Sequence, residues 1–242
     1  MIELLFGMVS YGVFLASFLY AIAFVGNLPV PKTIDSVPAR PLDEAILVNA
    51  ALLVSFAFQH SLMARPAFKR WWAAVVPPTL ERSVYVLLSS TLLLLLFWKW
   101  QALTGDIWRV DIPLGRMILD ALFYLGWAIV VWSTFMIDHF DLFGLRQVYL
   151  RLRGVAYTPV PFKAGALYKF VRHPMMLGFL IAFWATPHMT LGHLMFSAAM
   201  TGYIFLGIFL EERDHLAAHG DVYGQYREDV PMIFPAPGRW SR

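Results

Sequence analysis

Residues 4–26 read LLFGMVSYGVFLASFLYAIAFVG, a run without one charged side chain. A helix rises about 1.5 Å per residue, so roughly 20 apolar residues cross ~30 Å of hydrocarbon. This run is therefore expected to be a full membrane span. It is longer than a signal-peptide core and lacks a basic leader, which makes it a retained first helix. Five further runs of the same kind follow at about 43–63, 83–103, 115–137, 175–188 and 192–211. The fifth is the weakest. Pro187 and the polar Thr186, His188 and Thr190 interrupt it, so a short or re-entrant helix paired with the sixth is expected there. The fold class is all-α: a polytopic integral membrane bundle of five or six transmembrane helices.

Composition agrees. The 242 residues are 59% apolar and 14% charged, with a mean hydropathy of +0.62, against roughly 45–50% and about 25% in a soluble domain. The absence of cysteine excludes disulfides, thiolate nucleophiles and Cys-ligated metals. A net charge of +3 is small for a nucleic-acid binder, and no nucleic-acid partner is expected. The basic residues lie between apolar runs, as topology determinants do.

Charge sets the orientation. With a cytoplasmic N-terminus and six crossings, the cytoplasmic segments hold Arg65, Lys69, Arg70, Arg82, Arg146, Arg151, Arg153, Lys163, Lys169, Arg172, Arg213, Arg227, Arg239 and Arg242. Only Lys32, Arg40, Lys99, Arg109 and Arg116 are left outside, the asymmetry that the positive-inside rule requires. Pro29, Pro31, Pro38 and Pro41 make the first external loop, and Pro77 and Pro78 turn the chain before the third helix. Trp71, Trp72, Trp98 and Trp100 fall at expected interfaces. The chain reads as one domain, 1–242: four helices over 1–137, a long cytoplasmic loop over 138–174, and a last helix pair with tail over 175–242. That loop is longer than connection needs, which favours a functional element.

Four segments bring reactive groups to the cytoplasmic side: Gln59-His60-Ser61, Asp138-His139-Phe140-Asp141, Tyr168 with Arg172-His173-Pro174, and Glu211-Glu212-Arg213-Asp214-His215. Ionisable groups at membrane depth are costly and usually face a polar cavity, so their gathering marks a site. Bland roles compete. Interfacial or core packing suffices for His188 and His193, and solvation suffices for Arg213 and Asp214. Glu211 and Glu212 resist that treatment, because carboxylates at a helix C-terminus oppose the helix dipole and need a compensating group. His173, His215, His219 and the two glutamates lack a tight metal-binding spacing, and no metal is expected. Nucleotide-binding glycine loops and an esterase elbow are absent.

As an ordered set, Arg172-His173-Pro174, Gly178, Glu211-Glu212-Arg213, Gly220, Tyr223, Tyr226, Val230-Pro231 and Pro235 resemble the signature of membrane methyltransferases. That superfamily includes isoprenylcysteine carboxyl methyltransferase and phospholipid methyltransferases. Asp138 to Val148, Tyr157-Thr158-Pro159, Ala182 to Pro187, Phe24-Val25-Gly26-Asn27, Gln59-His60-Ser61 and Arg82-Ser83 look like the bacterial membrane methanethiol S-methyltransferases. The likeness spans nearly the whole chain. One departure is Met176, where the superfamily commonly has Tyr two residues after the Pro.

The resemblance implies S-adenosylmethionine as cofactor, S-adenosylhomocysteine as product, and a cytoplasmic pocket built from the last two helices and the tail. Its cofactor-binding residues would be Tyr168, Arg172, His173, Pro174, Gly178, Glu211, Glu212, Arg213, Tyr223 and Tyr226. Carboxylates suit the ribose or ammonium, arginines the carboxylate, and tyrosines the purine or sulfonium. The implied reaction is methyl transfer to methanethiol, giving dimethyl sulfide. A thiolate is the better nucleophile, so His60, His139 and Asp141 are candidates for base or base orienter, and Arg146 for thiolate stabilisation. Residues 139–165 are the expected lid. The partners implied are a small thiol and the lipid bilayer, with no obligatory protein partner and a bacterial inner-membrane location. The alternatives are a prenylcysteine carboxylate or lipid acceptor, and a non-catalytic membrane protein or transporter of the same fold.

Overall fold

Prolines mark helix starts along this chain, because a residue with φ preset near −65° and no N–H is suited to the first helical turn. The computed structural model describes residues 1–36, 40–160 and 165–235. Pro38, Lys163, Arg239 and Arg242 lie outside the described residues, as does the 161–164 part of the expected lid. The elements in chain order are α1 (Ile2–Val25), α2 (Leu42–Ala64), α3 (Pro66–Trp72), α4 (Pro78–Lys99), β1 (Asp106–Arg109), α5 (Pro113–Ile137), α6 (His139–Leu142), α7 (Leu145–Leu152), a 3-10 turn (Ala166–Lys169), α8 (Pro174–Trp184), β2 (His188–Thr190), α9 (Leu191–His219) and α10 (Asp221–Asp229). Pro66, Pro78, Pro113 and Pro174 each open a helix. The two strands pair with each other.

Five helices, α1, α2, α4, α5 and α9, are long and apolar enough to cross a membrane. The protein is an all-α, multi-pass membrane protein. The fifth run differs from its expected bounds of 175–188: α8 has only 11 residues, about 16 Å, half the hydrocarbon thickness. Pro187 excludes Thr186 from helical geometry, and the chain continues extended. Its polar groups are satisfied by protein. The Ala185 N–H donates to Ile181 O, Thr186 Oγ1 donates to His188 O at 2.9 Å, Trp108 Nε1 donates to Thr186 O at 3.1 Å, and Val110 N donates to Pro187 O at 2.8 Å. Non-helical backbone at membrane depth is tolerated when protein covers it in this way. Residues 186–187 thus reach those just before α5.

The chain forms two compact units. The first comprises Met1–Ile107, Asp138–Val160 and Thr190–Leu194, with α1 against α4 and α7, and α2 against α4. Gly144, at φ 86, allows the turn into α7 to lie on Ser83: a Cβ there would stand 2.8 Å from the Ser83 backbone nitrogen. Asn49, a polar exception within the apolar run of α2, is fully buried. It receives the Gln101 N–H at 2.8 Å and donates to Gln101 O at 2.7 Å, closing the backbone that leaves α4. Trp98 is exposed as expected, but Trp100 is buried, with its Nε1 donating to Ile34 O at 3.2 Å. Its indole belongs to the core because α4 ends at Lys99 and the chain turns inward.

The second unit comprises Trp108–Ile137, Pro161–Met189 and Met195–Arg242. Gly126 on α5 and Gly178 on α8 bring two backbones together: a Cβ on Gly178 would lie 2.7 Å from Gly126 O, and one on Gly126 2.7 Å from Ala182 N. Small residues permit such close helix approach in membranes. Because the obstacle is backbone, Gly178→Leu is expected to destabilise the fold by about 1–3 kcal/mol or more, read as a lowered Tm in detergent. The α9 helix covers the end of α8, with Ser197 Oγ donating to Phe183 O at 2.7 Å and Trp184 Nε1 to Thr201 Oγ1 at 2.9 Å.

The sixth run also departs from expectation. The α9 helix extends over 29 residues to His219 instead of ending near 211, so Glu211 and Glu212 lie two turns inside it. The dipole conflict expected of a C-terminal position is therefore removed. Glutamate, arginine, leucine and alanine side chains sustain the helix well past the apolar boundary, which a hydropathy reading does not register.

Candidate active site

Pro174 fixes the start of the site. It holds the residue before it out of the helical region, and His173 takes φ −125° and ψ 64°. The strand-like stretch so formed pairs with the tail: Arg172 N donates to Pro231 O at 2.9 Å and His173 N to Met232 O at 3.1 Å. Both side chains are buried and face Glu212.

Glu212 is the centre of an ionic network. Its Oε1 accepts from Arg172 Nε at 2.7 Å and lies 3.1 Å from His173 Nε2, while its Oε2 is 3.1 Å from Arg227 Nε. Arg172 Nη1 also donates to Arg227 O at 2.8 Å and to Val230 O. A buried ion pair is sustained only when its remaining donors and acceptors are occupied. Here the carboxylate meets two guanidinium groups and an imidazole, and the Arg172 guanidinium meets two carbonyls.

Glu211 differs from its neighbour. Its side chain is 46% exposed, with Oε2 3.8 Å from His173 Nδ1 and Oε1 3.6 Å from His215 Nε2. Glu212 is closed in by its partners, and Glu211 is half exposed. His215 stacks on the buried Tyr223, with centroids 5.0 Å apart, and Tyr226 lies 5.8 Å beyond Tyr223. Burial, followed by the charges of Glu212 and Glu211, pushes the Tyr223 phenol up to about 12, so it stays protonated at neutral pH. Tyr226 donates to Tyr168 O at 2.7 Å, tying α10 to the 3-10 turn.

Of the cofactor-binding residues expected from the sequence, Tyr168, Arg172, His173, Glu211, Glu212, Tyr223 and Tyr226 come together in this unit, with Pro174 shaping the turn. Gly178 does not join them, since its place is the contact with Gly126. Arg213 also stays apart. Two residues on from Glu211, it points to a different side of the helix, is 63% exposed and lies 4.0 Å from Asp214. Arg227 and His215 are the additions. Arg227 is the residue four after Tyr223 and so shares its helix face, a spacing visible in the sequence.

The four acceptor-side candidates, all in the first unit, fall into three clusters. His60 has Tyr85 Oη at 2.9 Å from Nε2 and Ser89 Oγ at 3.2 Å from Nδ1, stacks on Phe56 at 5.3 Å, and is joined through Ser89 to Gln59 Oε1 at 3.2 Å. His139 Nε2 lies 2.8 Å from Tyr11 Oη among Phe14, Phe140 and Phe143. Burial lowers its pKa, opposed by the nearby Asp138 carboxylate. Asp141 pairs with Arg146 at 2.8 Å and accepts from Tyr157 Oη at 3.3 Å, while Arg146 also donates to Thr158 O at 2.9 Å and lies over the Tyr157 ring. This last group ties the segment after α7 back to α6. Tyr85, Ser89 and Tyr11 were not singled out by sequence, and Tyr157 only within the Tyr157-Thr158-Pro159 resemblance, as no local spacing links them to these partners.

The geometry defines a class: a multi-pass helical membrane protein whose last helices and tail enclose a buried Arg–Glu–His–Arg network with an open carboxylate beside it. The model of the NnrU protein family matches residues 48–229. The methanethiol S-methyltransferase of Mycobacterium tuberculosis is 56% identical over 238 residues, covering 98% of each chain. That of Crocosphaera subtropica is 48% identical over 238 residues, covering 98% of this chain and 93% of its own. Nurim of Danio rerio is 30% identical over 185 residues, 72% of this chain and 66% of its own. The chain belongs to the family of membrane methanethiol S-methyltransferases. No solved structure matches it significantly.

Proposed function

We propose that the protein transfers a methyl group from S-adenosylmethionine to the sulfur of methanethiol, forming dimethyl sulfide. The observation that carries this is the half-exposed Glu211 held between His173 and His215 beside the closed Glu212 network, in a chain nearly full-length similar to methanethiol S-methyltransferases.

The residues fit the cofactor. Its hydroxyls or ammonium need an accessible acceptor, which Glu211 offers. Its carboxylate needs a cation, and Arg227 suits this better than Arg172 or Arg213: its side chain is 41% exposed and at the network, while Arg172 is closed in by the tail and Arg213 turns to another side of α9. Its purine and sulfonium suit the aromatic faces of His215, Tyr223 and Tyr226. When bound, S-adenosylmethionine supplies an electrophilic methyl group. The chain's own part is to align the acceptor sulfur, exclude water and take the thiol proton.

His60 is the leading proton acceptor. It is an ionisable group inside an apolar helix, hydrogen-bonded to Tyr85 and Ser89, and such residues are functional by default at membrane depth. His139 is the second candidate, with Asp141 and Arg146 acting together on the loop. His60→Ala is expected to lower kcat by about a hundredfold or more, the usual contribution of a general base, with S-adenosylhomocysteine affinity unchanged by calorimetry. Unchanged turnover would remove His60 from the mechanism. The excess of basic residues on the segments that carry these groups supports an active site on the cytoplasmic side of a bacterial inner membrane, which can be tested by labelling introduced cysteines from either face.

A further inference from the structure

Resting on the thiol reading above, we propose that Ser89 and Gln59 are positioning residues that hold His60 as its Nδ1–H tautomer, so that Nε2 is the nitrogen that takes the thiol proton, by way of the Tyr85 hydroxyl. The side chains come from two packed helices of the first unit. Gln59 and His60 are neighbours on α2, while Tyr85 and Ser89, one turn apart, share a face of α4. Ser89 is buried. Phe56, one turn before His60, stacks on the imidazole with centroids 5.3 Å apart and sets the plane of the ring.

The direction of the hydrogen-bond chain follows from what each group can donate. Gln59 Nε2 donates to Met63 Sδ at 2.9 Å. A thioether sulfur has no proton to give, so the N–H side of the amide faces it and the carbonyl side faces Ser89. A carbonyl oxygen can only accept, so the 3.2 Å contact between Ser89 Oγ and Gln59 Oε1 uses the one proton that Ser89 carries. The 3.2 Å contact between Ser89 Oγ and His60 Nδ1 then requires the proton on Nδ1. A neutral imidazole has one N–H, which puts its lone pair on Nε2. Tyr85 Oη lies 2.9 Å from Nε2 and 3.1 Å from Nδ1. With Nδ1 already protonated, the phenol donates to Nε2, and a thiol proton reaches the ring through that hydroxyl. The thiol S–H bond breaks and its proton bonds to Tyr85 Oη as the Tyr85 proton bonds to Nε2. The sulfur keeps the electron pair as thiolate, and the imidazolium keeps its Nδ1–H bond to Ser89.

Two measurements on the purified full-length protein test this. Nitrogen NMR of protein carrying isotope-labelled histidine, with His60 assigned by its loss in His60→Ala, should show Nδ1 protonated and Nε2 not. In Gln59→Met, which removes the acceptor, the Ser89 proton turns to Nδ1 and the tautomer should reverse. Rates with methanethiol and with trifluoroethanethiol, a small and more acidic thiol that needs a base less, read the catalytic part. Ser89→Ala and Tyr85→Phe should lower kcat for methanethiol by about tenfold or more, and by at most about threefold for trifluoroethanethiol, with S-adenosylhomocysteine affinity unchanged. Ser89→Thr keeps the hydroxyl and should restore the methanethiol rate. A wild-type His60 protonated on Nε2 overturns the assignment, as does an equal loss with both thiols, which would mark packing alone. Unchanged methanethiol turnover in both Ser89→Ala and Tyr85→Phe overturns it too. If the variants do not fold, the wild-type tautomer decides alone. Absence of dimethyl sulfide from the wild type defeats the thiol reading itself, whereas Nε2 protonation in a protein that forms it defeats only the tautomer assignment.

Discussion

Arg172→Ala is expected to destabilise the protein by about 3–5 kcal/mol, because removing one partner of a buried pair leaves the other charge uncompensated. Glu212 would keep Arg227 and His173 but lose its 2.7 Å contact. The two carbonyls of Arg227 and Val230 would lose their donor, and with it the side-chain anchor of the tail. Urea denaturation in detergent should show the drop, and limited proteolysis should cut residues 220–235 faster. Arg172→Lys should rescue little, since an ammonium cannot reproduce the forked contact to a carboxylate and two carbonyls. Wild-type stability in Arg172→Ala would mean that the network is not what holds the tail.

Glu211→Ala should behave in the opposite way. Its side chain is half exposed and makes only long contacts with His173 and His215, so stability should change little. S-adenosylhomocysteine affinity should fall by about ten- to a hundredfold, the range for losing a hydrogen bond to a charged group. Calorimetry on the folded variant reads this directly. The two adjacent glutamates are thus expected to separate into one that holds the fold and one that meets the ligand. The account is wrong if Glu211→Ala unfolds the protein while Glu212→Ala lowers only affinity.

Membrane class and the main spans were legible because hydrophobicity over about 20 residues is a direct physical requirement of crossing a bilayer. Helix ends were less so. Hydropathy kept rising through Ala185, whereas Pro187 stopped α8 at Trp184. At the other end, the polar Glu211–His219 stretch looked like an exit from the membrane and proved to be two further turns of α9. The R-H-P and E-E motifs do come together in the structure, through Arg172, His173 and Glu212. Which glutamate is closed was not legible, because that depends on Arg172 and Arg227 arriving from elsewhere in the chain. Gly178 carried a site-like spacing that packing against Gly126 explains. Asn49 looked like a polar exception in mid-span, and its partner was a backbone carbonyl 52 residues away.

The most direct test gives the purified protein methanethiol and S-adenosylmethionine and follows dimethyl sulfide by gas chromatography. Dimethyl sulfide should accumulate with time and enzyme, and Glu211→Ala should require more cofactor to reach the same rate. A folded protein that binds S-adenosylhomocysteine and yet forms no dimethyl sulfide would contradict the proposed function.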